Sequence, residues 1–137
     1  MSTIIIAGGG KIGTELASVL LKQDHKVIVI EKDKAAAEKL RKRVTCTLVE
    51  DDACNPSVLK NAGIAGAGMV AAVTGHDEDN LIICQLAKFE FEVPRVVAKI
   101  NNPKNEWLFI KEMGVDVAIS SAHIIAQLIE KEAHSQT

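Results

Sequence analysis

Three glycines near the start of the chain constrain its fold more than any other feature. Gly8, Gly10 and Gly13 follow directly after a short apolar run and precede a segment with apolar residues at helical spacing. A strand, a G-x-G-x-x-G turn and a helix form the first unit of a doubly wound α/β sheet. The first glycine permits a tight turn, the second lets backbone approach a phosphate, and the third lets the helix pack closely on the strand. The motif therefore predicts a parallel sheet whose first turn can hold an anion at a helix N-terminus.

An acidic residue stands where this layout places the ribose of an adenine nucleotide. Glu31 closes the second apolar run and lies 18 residues beyond Gly13, close to the roughly 20 expected for the motif. A carboxylate there accepts hydrogen bonds from both ribose hydroxyls and repels a 2′-phosphate. We therefore expect a ligand such as NAD or an adenine mononucleotide, and not NADP. Because Glu31 lies at a strand tip, we also expect its replacement to leave the fold intact.

Strand and helix patterns alternate along the whole chain. They predict one α/β domain over residues 1–137, with a Rossmann-like doubly wound parallel sheet of six strands in the order 3-2-1-4-5-6. The predicted strands are Thr3–Ala7, Lys26–Glu31, Cys46–Val49, Met69–Val73, Arg95–Ile100 and Val115–Ile119. The predicted helices are Lys11–Lys22, Lys34–Arg43, Pro56–Asn61, Glu78–Phe89, Pro103–Met113 and Ser121–Ala133, followed by a polar tail over residues 134–137.

Composition and charge exclude several classes of protein. The chain of 137 residues is 47% hydrophobic and has a net charge of −2, which suits a packed domain and not a nucleic-acid surface. We interpret the basic segment 39–43 as cations at a helix C-terminus. The absence of a long apolar run or a signal-peptide pattern predicts a cytoplasmic protein without direct membrane insertion. Three cysteines without C-x-x-C spacing indicate neither a disulfide framework nor a zinc site.

Further candidates follow the later strands. In a doubly wound sheet the ligand lies outside the carboxyl ends of the strands, where the strand order reverses. Thr74 and Gly75 follow the fourth strand and face this point, and Asn80 lies near the start of the next helix. Asp52 either approaches the adenine or belongs to a solvated acidic turn, and Lys99 either reaches a phosphate or has a surface role.

Taken together, these segments resemble the potassium-transport nucleotide-binding domain family, also called the RCK or TrkA N-terminal family. The resemblance covers nearly the whole chain. The matching segments are Ile5–Gly13, Val29–Asp33, Val49–Ala53, Ala72–Gly75, Asp79–Leu81 and Met113–Ser120. The occurrence of all these segments in this order is far more specific for the family than the glycines alone.

The resemblance implies a cytosolic regulatory subunit that binds NAD(H) or ATP/ADP and conveys occupancy to a membrane potassium transporter or channel. It also implies a non-enzymatic protein that forms dimers or rings. By the resemblance, Lys11 lies near the phosphates, Asp52 near the adenine, and Lys99 at a position often held by arginine. The complete set of candidate nucleotide-binding residues is Gly8, Gly10, Lys11, Ile12, Gly13, Glu31, Lys32, Asp52, Ala53, Thr74, Gly75, Asn80 and Lys99.

The sequence departs from the family pattern in three ways. The run Glu50–Asp52 replaces a more usual Gly-Asp and adds negative charge beside the adenine, and Lys11 and Lys99 lack the bidentate fork of arginine. The C-terminal ligand lobe usual in the family does not follow the domain, so we expect a stand-alone or excised domain.

The sequence also leaves two alternative functions and the oligomeric state to consider. A minimal NAD-dependent oxidoreductase would need a catalytic group such as His76 or Cys54, but no acid–base pair is visible in the sequence. A nucleotide-independent interaction module is the other alternative. The apolar cluster at 107–110 and the apolar stripe of the last helix favour a homodimer. Ordinary packing on the sheet is the alternative for these residues, and it is favoured for Ile124 and Leu128.

Overall fold

The six strands join one parallel sheet in the predicted order 3-2-1-4-5-6. The computed structural model of the chain describes residues 2–135. The strands are β1 (Thr3–Ala7), β2 (Lys26–Ile30), β3 (Thr47–Val49), β4 (Met69–Ala72), β5 (Arg95–Ile100) and β6 (Val117–Ser120). The α-helices are α1 (Lys11–Lys22), α2 (Lys34–Arg43), α3 (Pro56–Ala62), α4 (Asp77–Gln85) and α5 (Ser121–Ser135), and α4 continues into one π-helical turn, Leu86–Glu90. Short 3₁₀ helices span Ile64–Gly66, Pro103–Leu108 and Lys111–Met113.

The two faces of the sheet form two separate hydrophobic cores. Successive side chains of a strand point to opposite faces, so Ile4 and Ile6 of β1 join one core while Ile5 and Ala7 join the other. The first core includes Ala17 of α1 and packs beneath α1 and α2; the second packs beneath α3 and α4. Burial on both faces explains why the central strands are almost continuously apolar.

The strand order reverses at β1, and this reversal positions the site. Ala7, the last residue of β1, is paired with Ile30 of β2 on one side and with Ala72 of β4 on the other. The connections from these strands leave towards opposite faces of the sheet. A crevice therefore opens above the carboxyl ends of β1, β2 and β4, at the switch point where doubly wound folds bind their ligands.

The prediction of one α-helix over Pro103–Met113 is wrong. Asn102 caps the segment by accepting a hydrogen bond from the Lys104 N–H at 3.1 Å, but the helix that follows is of the 3₁₀ type. It stops where Phe109, only 6% exposed, turns into the core with φ −91° and ψ 67°. Burying this ring overrides the helical pattern, and β6 consequently begins at Val117 instead of Val115.

The other boundaries differ from prediction by one or two residues at element ends. Glu31, Cys46 and Val73, which belong to the predicted strands, lie just outside the observed ones. Helix α3 extends to Ala62, and α4 begins one residue early at Asp77. These shifts leave the strand order and the position of the switch point unchanged.

Helix α5 contradicts the expectation that its apolar residues pack on the sheet. It follows β6 without a loop, so the chain cannot reverse direction and lay the helix on the sheet face. None of its described side chains is buried, and Ile124 and Leu128 are 41% and 59% exposed. The predicted polar tail is helical at positions 134 and 135, while positions 136 and 137 lie outside the described residues. Across residues 2–135, no helix is both long and apolar enough to cross a membrane.

Candidate nucleotide-binding site

The glycine turn lets two backbone segments meet at the switch point. Gly8 has φ +113°, and a Cβ at this position would lie 2.9 Å from the Thr74 nitrogen. A Cβ on Gly13 would overlap the carbonyl oxygen of Gly8, so this glycine brings the first turn of α1 against the turn itself. Gly10 has no atom within 4 Å of its Cβ position and begins α1 without a side-chain cap. The first N–H groups of α1 have no partner within the helix, which is the arrangement that binds anions.

Gly9 also has a structural role, which the sequence motif did not single out. Its N–H donates to Oε1 of Glu31 at 2.7 Å, and its carbonyl accepts from Oγ1 of Thr14 at 3.2 Å. A Cβ at this position would lie 3.1 Å from the Cβ of Glu31 and 3.2 Å from Cδ1 of Leu40. The unbroken run of three glycines was the feature of the sequence that could have predicted this role.

Glu31 holds the rim of the site together. Its Oε1 accepts from Gly9, and its Oε2 accepts from the Asp33 N–H at 2.7 Å. Asp33 in turn caps α2 by accepting from the Ala36 N–H at 2.8 Å. The carboxylate of Glu31 thus connects the glycine turn to the start of α2, so its replacement bears on local stability, and the expectation that the fold survives that replacement stays a prediction. Each carboxylate oxygen keeps acceptor capacity for a further donor, such as a ribose hydroxyl.

A cavity of about 410 Å³ occupies the crevice. Eight of the thirteen candidate residues line it: Gly8, Gly10, Glu31, Lys32, Asp52, Ala53, Thr74 and Gly75. The remaining lining residues, which were not among the candidates, are Ile30, Asp33, Asp51, Cys54, Val73, His76, Asp79 and Ile83. The structure thus brings together residues at or after the ends of four strands, β1 to β4, that are far apart in the sequence.

Five candidates do not line this cavity. Lys11 lines a neighbouring groove, Ile12 is 49% exposed on α1, and Gly13 lies beneath the turn. Asn80 is fully buried, and Lys99 contributes its backbone carbonyl to a hydrogen bond with Asn80. Asn80 therefore has a supporting role in this structure, and the ligand contact expected of the Lys99 side chain stays a prediction.

Asn80 fixes the loop that follows β4. Its Oδ1 accepts from the N–H of Thr74 at 2.9 Å and from the Thr74 hydroxyl at 2.7 Å. Its Nδ2 donates to the carbonyls of Thr74 at 3.1 Å and Lys99 at 3.0 Å. Three of these bonds fix Thr74 in the wall of the cavity, and the fourth connects that wall to β5.

Asp77 fastens the same wall to the loop after β5, a role that the sequence reading missed. Its carboxylate accepts from the N–H groups of Asn101 at 2.6 Å and Asn102 at 2.8 Å, and from Nδ2 of Asn105 at 2.8 Å. Burial alone would raise the pKa of Asp77, but these hydrogen bonds outweigh it and hold the pKa below its ordinary value of 3.8. The carboxylate therefore stays ionised and bound to the loop at neutral pH.

The cavity is strongly acidic. Its carboxylates are Glu31, Asp33, Asp51, Asp52 and Asp79, against the one lysine in the lining, Lys32. Nζ of Lys32 lies 3.6 Å from Oδ2 of Asp79, so this ion pair crosses from the β2 side to the α4 side. In residues 2–135, no group of histidine, cysteine or acidic side chains is arranged to hold a metal ion.

The thiol in the cavity is poorly suited to catalysis. Burial, followed by the charges of Asp79 and Asp52, raises the pKa of Cys54 to about 12. Its sulfur lies 3.8 Å from the Asp79 carbonyl, and the neighbouring carboxylates disfavour the reactive thiolate. His76 is exposed at the rim and donates its backbone N–H to the Thr74 hydroxyl at 3.2 Å. The lining therefore offers hydrogen-bonding groups and charge without a paired nucleophile and base.

Solved structures share this architecture. The TrkA-N domain of inner membrane protein ybaL from Escherichia coli superimposes with a TM-score of 0.82 at 21% identity, over 95% of each chain. A GsuK channel bound to NAD matches 86% of this chain and 21% of that chain, with a TM-score of 0.75 and 20% identity. The Kef CTD of Shewanella denitrificans in an AMP-bound form matches 98% of this chain and 80% of that one, with a TM-score of 0.76 and 19% identity. At these identities, the likeness establishes the common fold.

The relatives found by sequence have a higher identity with this chain. The Trk system potassium uptake protein TrkA of Mycobacterium tuberculosis is 38% identical over 133 residues, which cover 93% of this chain and 58% of that protein. The TrkA homolog of Methanothermobacter thermautotrophicus is 31% identical over 128 residues, with the same two coverages. The chain thus spans somewhat more than half the length of these relatives. The family model of the TrkA-N domain matches residues 4–121, which confirms the resemblance inferred from the motifs. The chain belongs to the TrkA-N domain family.

Proposed function

We propose that this domain binds an adenine nucleotide, NAD(H) or ATP/ADP, in the crevice between β1 and β4. The observation that carries the proposal is the glycine turn, which brings the N-terminus of α1 to the edge of a cavity with Glu31 on its rim. The N–H groups supply an anion site, and the carboxylate supplies acceptors for ribose hydroxyls. GsuK bound to NAD and the Kef domain bound to AMP have the same fold, which supports both ligand classes.

The proposed role is regulatory. Its relatives are named as potassium uptake proteins, and we infer that this domain acts on the cytoplasmic side of a membrane potassium transporter or channel. Nucleotide occupancy would set the activity of that transporter. Cys54, with its raised pKa, gives no support to an oxidoreductase.

A homodimer is the simplest assembly that could transmit occupancy. One side of α5 exposes Ile125, Leu128 and Ile129, which are 56%, 59% and 63% accessible. We infer that a second copy covers this stripe, because monomeric proteins rarely leave such a contiguous apolar surface in water. A nucleotide then shifts the balance of two dimer arrangements by its difference in affinity for them. A 50-fold preference corresponds to about 2.3 kcal/mol, which lies within the usual range of coupling energies.

The binding step is tested with a pair of glycine variants. Valine at Gly10 fits the local backbone and clashes with nothing, but it fills the space in front of the α1 N–H groups. Gly66→Val, which also has open space at its Cβ position and lies outside the cavity, is the matched control. We expect a ligand at about 100 times its dissociation constant to stabilise the wild type and Gly66→Val by roughly 2.7 kcal/mol, and to leave Gly10→Val unchanged.

Thermal unfolding with millimolar NAD, NADH, ATP or ADP measures the stabilisation that each ligand gives to the wild type and the two variants. The absence of a shift with all four ligands would refute nucleotide binding. Solution scattering and sedimentation of the wild type, with and without saturating ligand, test the regulatory step. Identical assembly in every state would favour a simple binding module, and sustained turnover of NADH would favour an enzyme.

A further inference from the structure

An ion pair crosses the crevice from one wall to the other. Nζ of Lys32, which follows β2, lies 3.6 Å from Oδ2 of Asp79 in the first turn of α4. Both residues line the cavity, and Lys32 is the one lysine among its lining residues. The pair therefore connects two walls of the same cavity, whereas a surface ion pair along one helix would leave the cavity open.

The pair lies at the end of the crevice that suits a nucleotide base. With its phosphates at the N-terminus of α1 and its ribose at Glu31, a nucleotide extends towards the loop after β3. In this loop Asp52, Ala53 and Cys54 line the cavity, and we call this part of the crevice the base end. Sγ of Cys54 lies 3.8 Å from the carbonyl oxygen of Asp79, which places Asp79 beside the base end.

Exposure distinguishes the mouth of the base end from its floor. Ile30 and Ile83 line the cavity and are each 1% exposed, so they form an apolar floor on which a flat ring can pack. The side chains of Lys32 and Asp79 are 56% and 23% exposed, so the ion pair lies on the solvent side. A base that moves from solvent to the apolar floor therefore passes the ion pair.

The backbone on both sides of the pair is anchored. Glu31, which precedes Lys32, accepts hydrogen bonds from the glycine turn and from the start of α2. Asp77 and Asn80 flank Asp79 and hold the start of α4 through their own hydrogen bonds to neighbouring loops. Opening the mouth thus requires the two side chains to separate, while the walls that carry them stay in place.

The charge of the lining favours the closed pair. Five carboxylates and the ammonium group of Lys32 line the cavity, so the ammonium group is attracted into the crevice. When it moves out into water, Asp79 is left without its counter-charge in an acidic cavity. An ion pair as exposed as this one is nevertheless weak, so it slows the passage of a base and does not block it.

We propose that the Lys32–Asp79 ion pair is a gate at the base end, which opens to admit the base of a nucleotide and closes again over it. The proposal rests on nucleotide binding in the crevice. Its consequence is kinetic, because a bound base leaves through the opening by which it entered. The pair therefore slows both association and dissociation. It lengthens the time for which the domain stays in one occupancy state.

The test compares the rate constants of ADP and NAD on the full chain and on two double variants. In Lys32→Met/Asp79→Asn the ion pair is absent, while the net charge of the cavity lining equals that of the wild type. Lys60→Met/Glu90→Gln makes the same two charge changes at exposed positions outside the cavity and is the control. NMR line shapes recorded during titration give the association and dissociation rate constants. Unfolding temperatures of the three proteins check that the substitutions leave the fold intact.

We expect both rate constants to rise roughly threefold in Lys32→Met/Asp79→Asn, as for the loss of one partly exposed ion pair, and to stay unchanged in the control. The single variants Lys32→Met and Asp79→Asn separate this effect from charge, because they change the charge of the lining in opposite directions. A gate predicts that the mean of their logarithmic rate changes is positive, whereas the effects of charge alone average to zero.

Three results would overturn the gate while leaving nucleotide binding in place. These are equal rate constants in the wild type and Lys32→Met/Asp79→Asn, a change confined to association or to dissociation, and an equal acceleration in the control variant. Failure of both ADP and NAD to bind the wild type would overturn nucleotide binding and the gate together.

Discussion

Replacing Glu31 with glutamine preserves the shape of the side chain but removes one of the two acceptors that hold the glycine turn. In the wild type, Oε1 accepts from Gly9 and Oε2 accepts from Asp33, both at 2.7 Å. The amide oxygen of glutamine can keep one of these bonds. Its NH₂ group then faces the remaining N–H, and two donors cannot pair.

The expected cost follows from the loss of one charge-assisted hydrogen bond. Such bonds contribute about 1.5–3 kcal/mol, and the lower end applies because Glu31 is only half-buried. For a domain of this length, about 1.5 kcal/mol lowers the unfolding temperature by roughly 5 °C. We therefore expect Glu31→Gln to be measurably less stable without any ligand, and to bind NAD or ADP more weakly because the ribose hydroxyls lose an ionised acceptor.

Urea unfolding of the ligand-free protein measures the first effect, and amide hydrogen exchange locates it. Exchange at Gly9 or Asp33 should accelerate, whereas amides in the central strands should change little. Glu90→Gln removes the same charge from an exposed position outside the cavity of the crevice and serves as the control. A ligand-free stability equal to that of the wild type would refute the tethering role. Unchanged NAD and ADP affinity would refute the ribose assignment.

Three further predictions concern the supports of the site. Gly13→Ala should prevent folding or cost more than about 4 kcal/mol, because its Cβ would overlap the backbone of Gly8, whereas Gly66→Ala should be nearly neutral in the same urea titration. Asp77→Asn should lower the free energy of unfolding by about 1.5–3 kcal/mol at pH 7. Because the pKa of Asp77 is depressed in the folded state, its carboxylate stabilises the protein above pH 3.8, and this stabilisation is lost as the pH falls below that value. The difference in unfolding free energy between Asp77→Asn and the wild type should therefore close below pH 3.8. Cys54, whose pKa is raised to about 12, should react with iodoacetamide at pH 8 on the order of a hundredfold more slowly than a free thiol, and equally fast labelling would contradict the desolvated site.

The sequence by itself determined the sheet and the location of the crevice. Strand order follows from alternating apolar segments and the handedness of their crossovers, and these are local patterns combined with one general rule. Gly8, Gly13 and Glu31 were identifiable because their spacing is fixed by a single βαβ unit, in which every relevant contact lies within a short stretch of chain. Helix ends with a positive-φ glycine, such as Gly63, were predictable for the same local reason.

Only the tertiary structure decided what the polar residues around the crevice do. Asn80 and Asp77 support loops instead of facing the cavity, because their partners lie on the neighbouring strand and the loop after it. Helix α5 is exposed because it follows β6 without an intervening turn. Residues 103–113 form 3₁₀ helices because Phe109 is buried in the core. These features depend on contacts between distant parts of the chain, and no local periodicity encodes which partner each side chain meets.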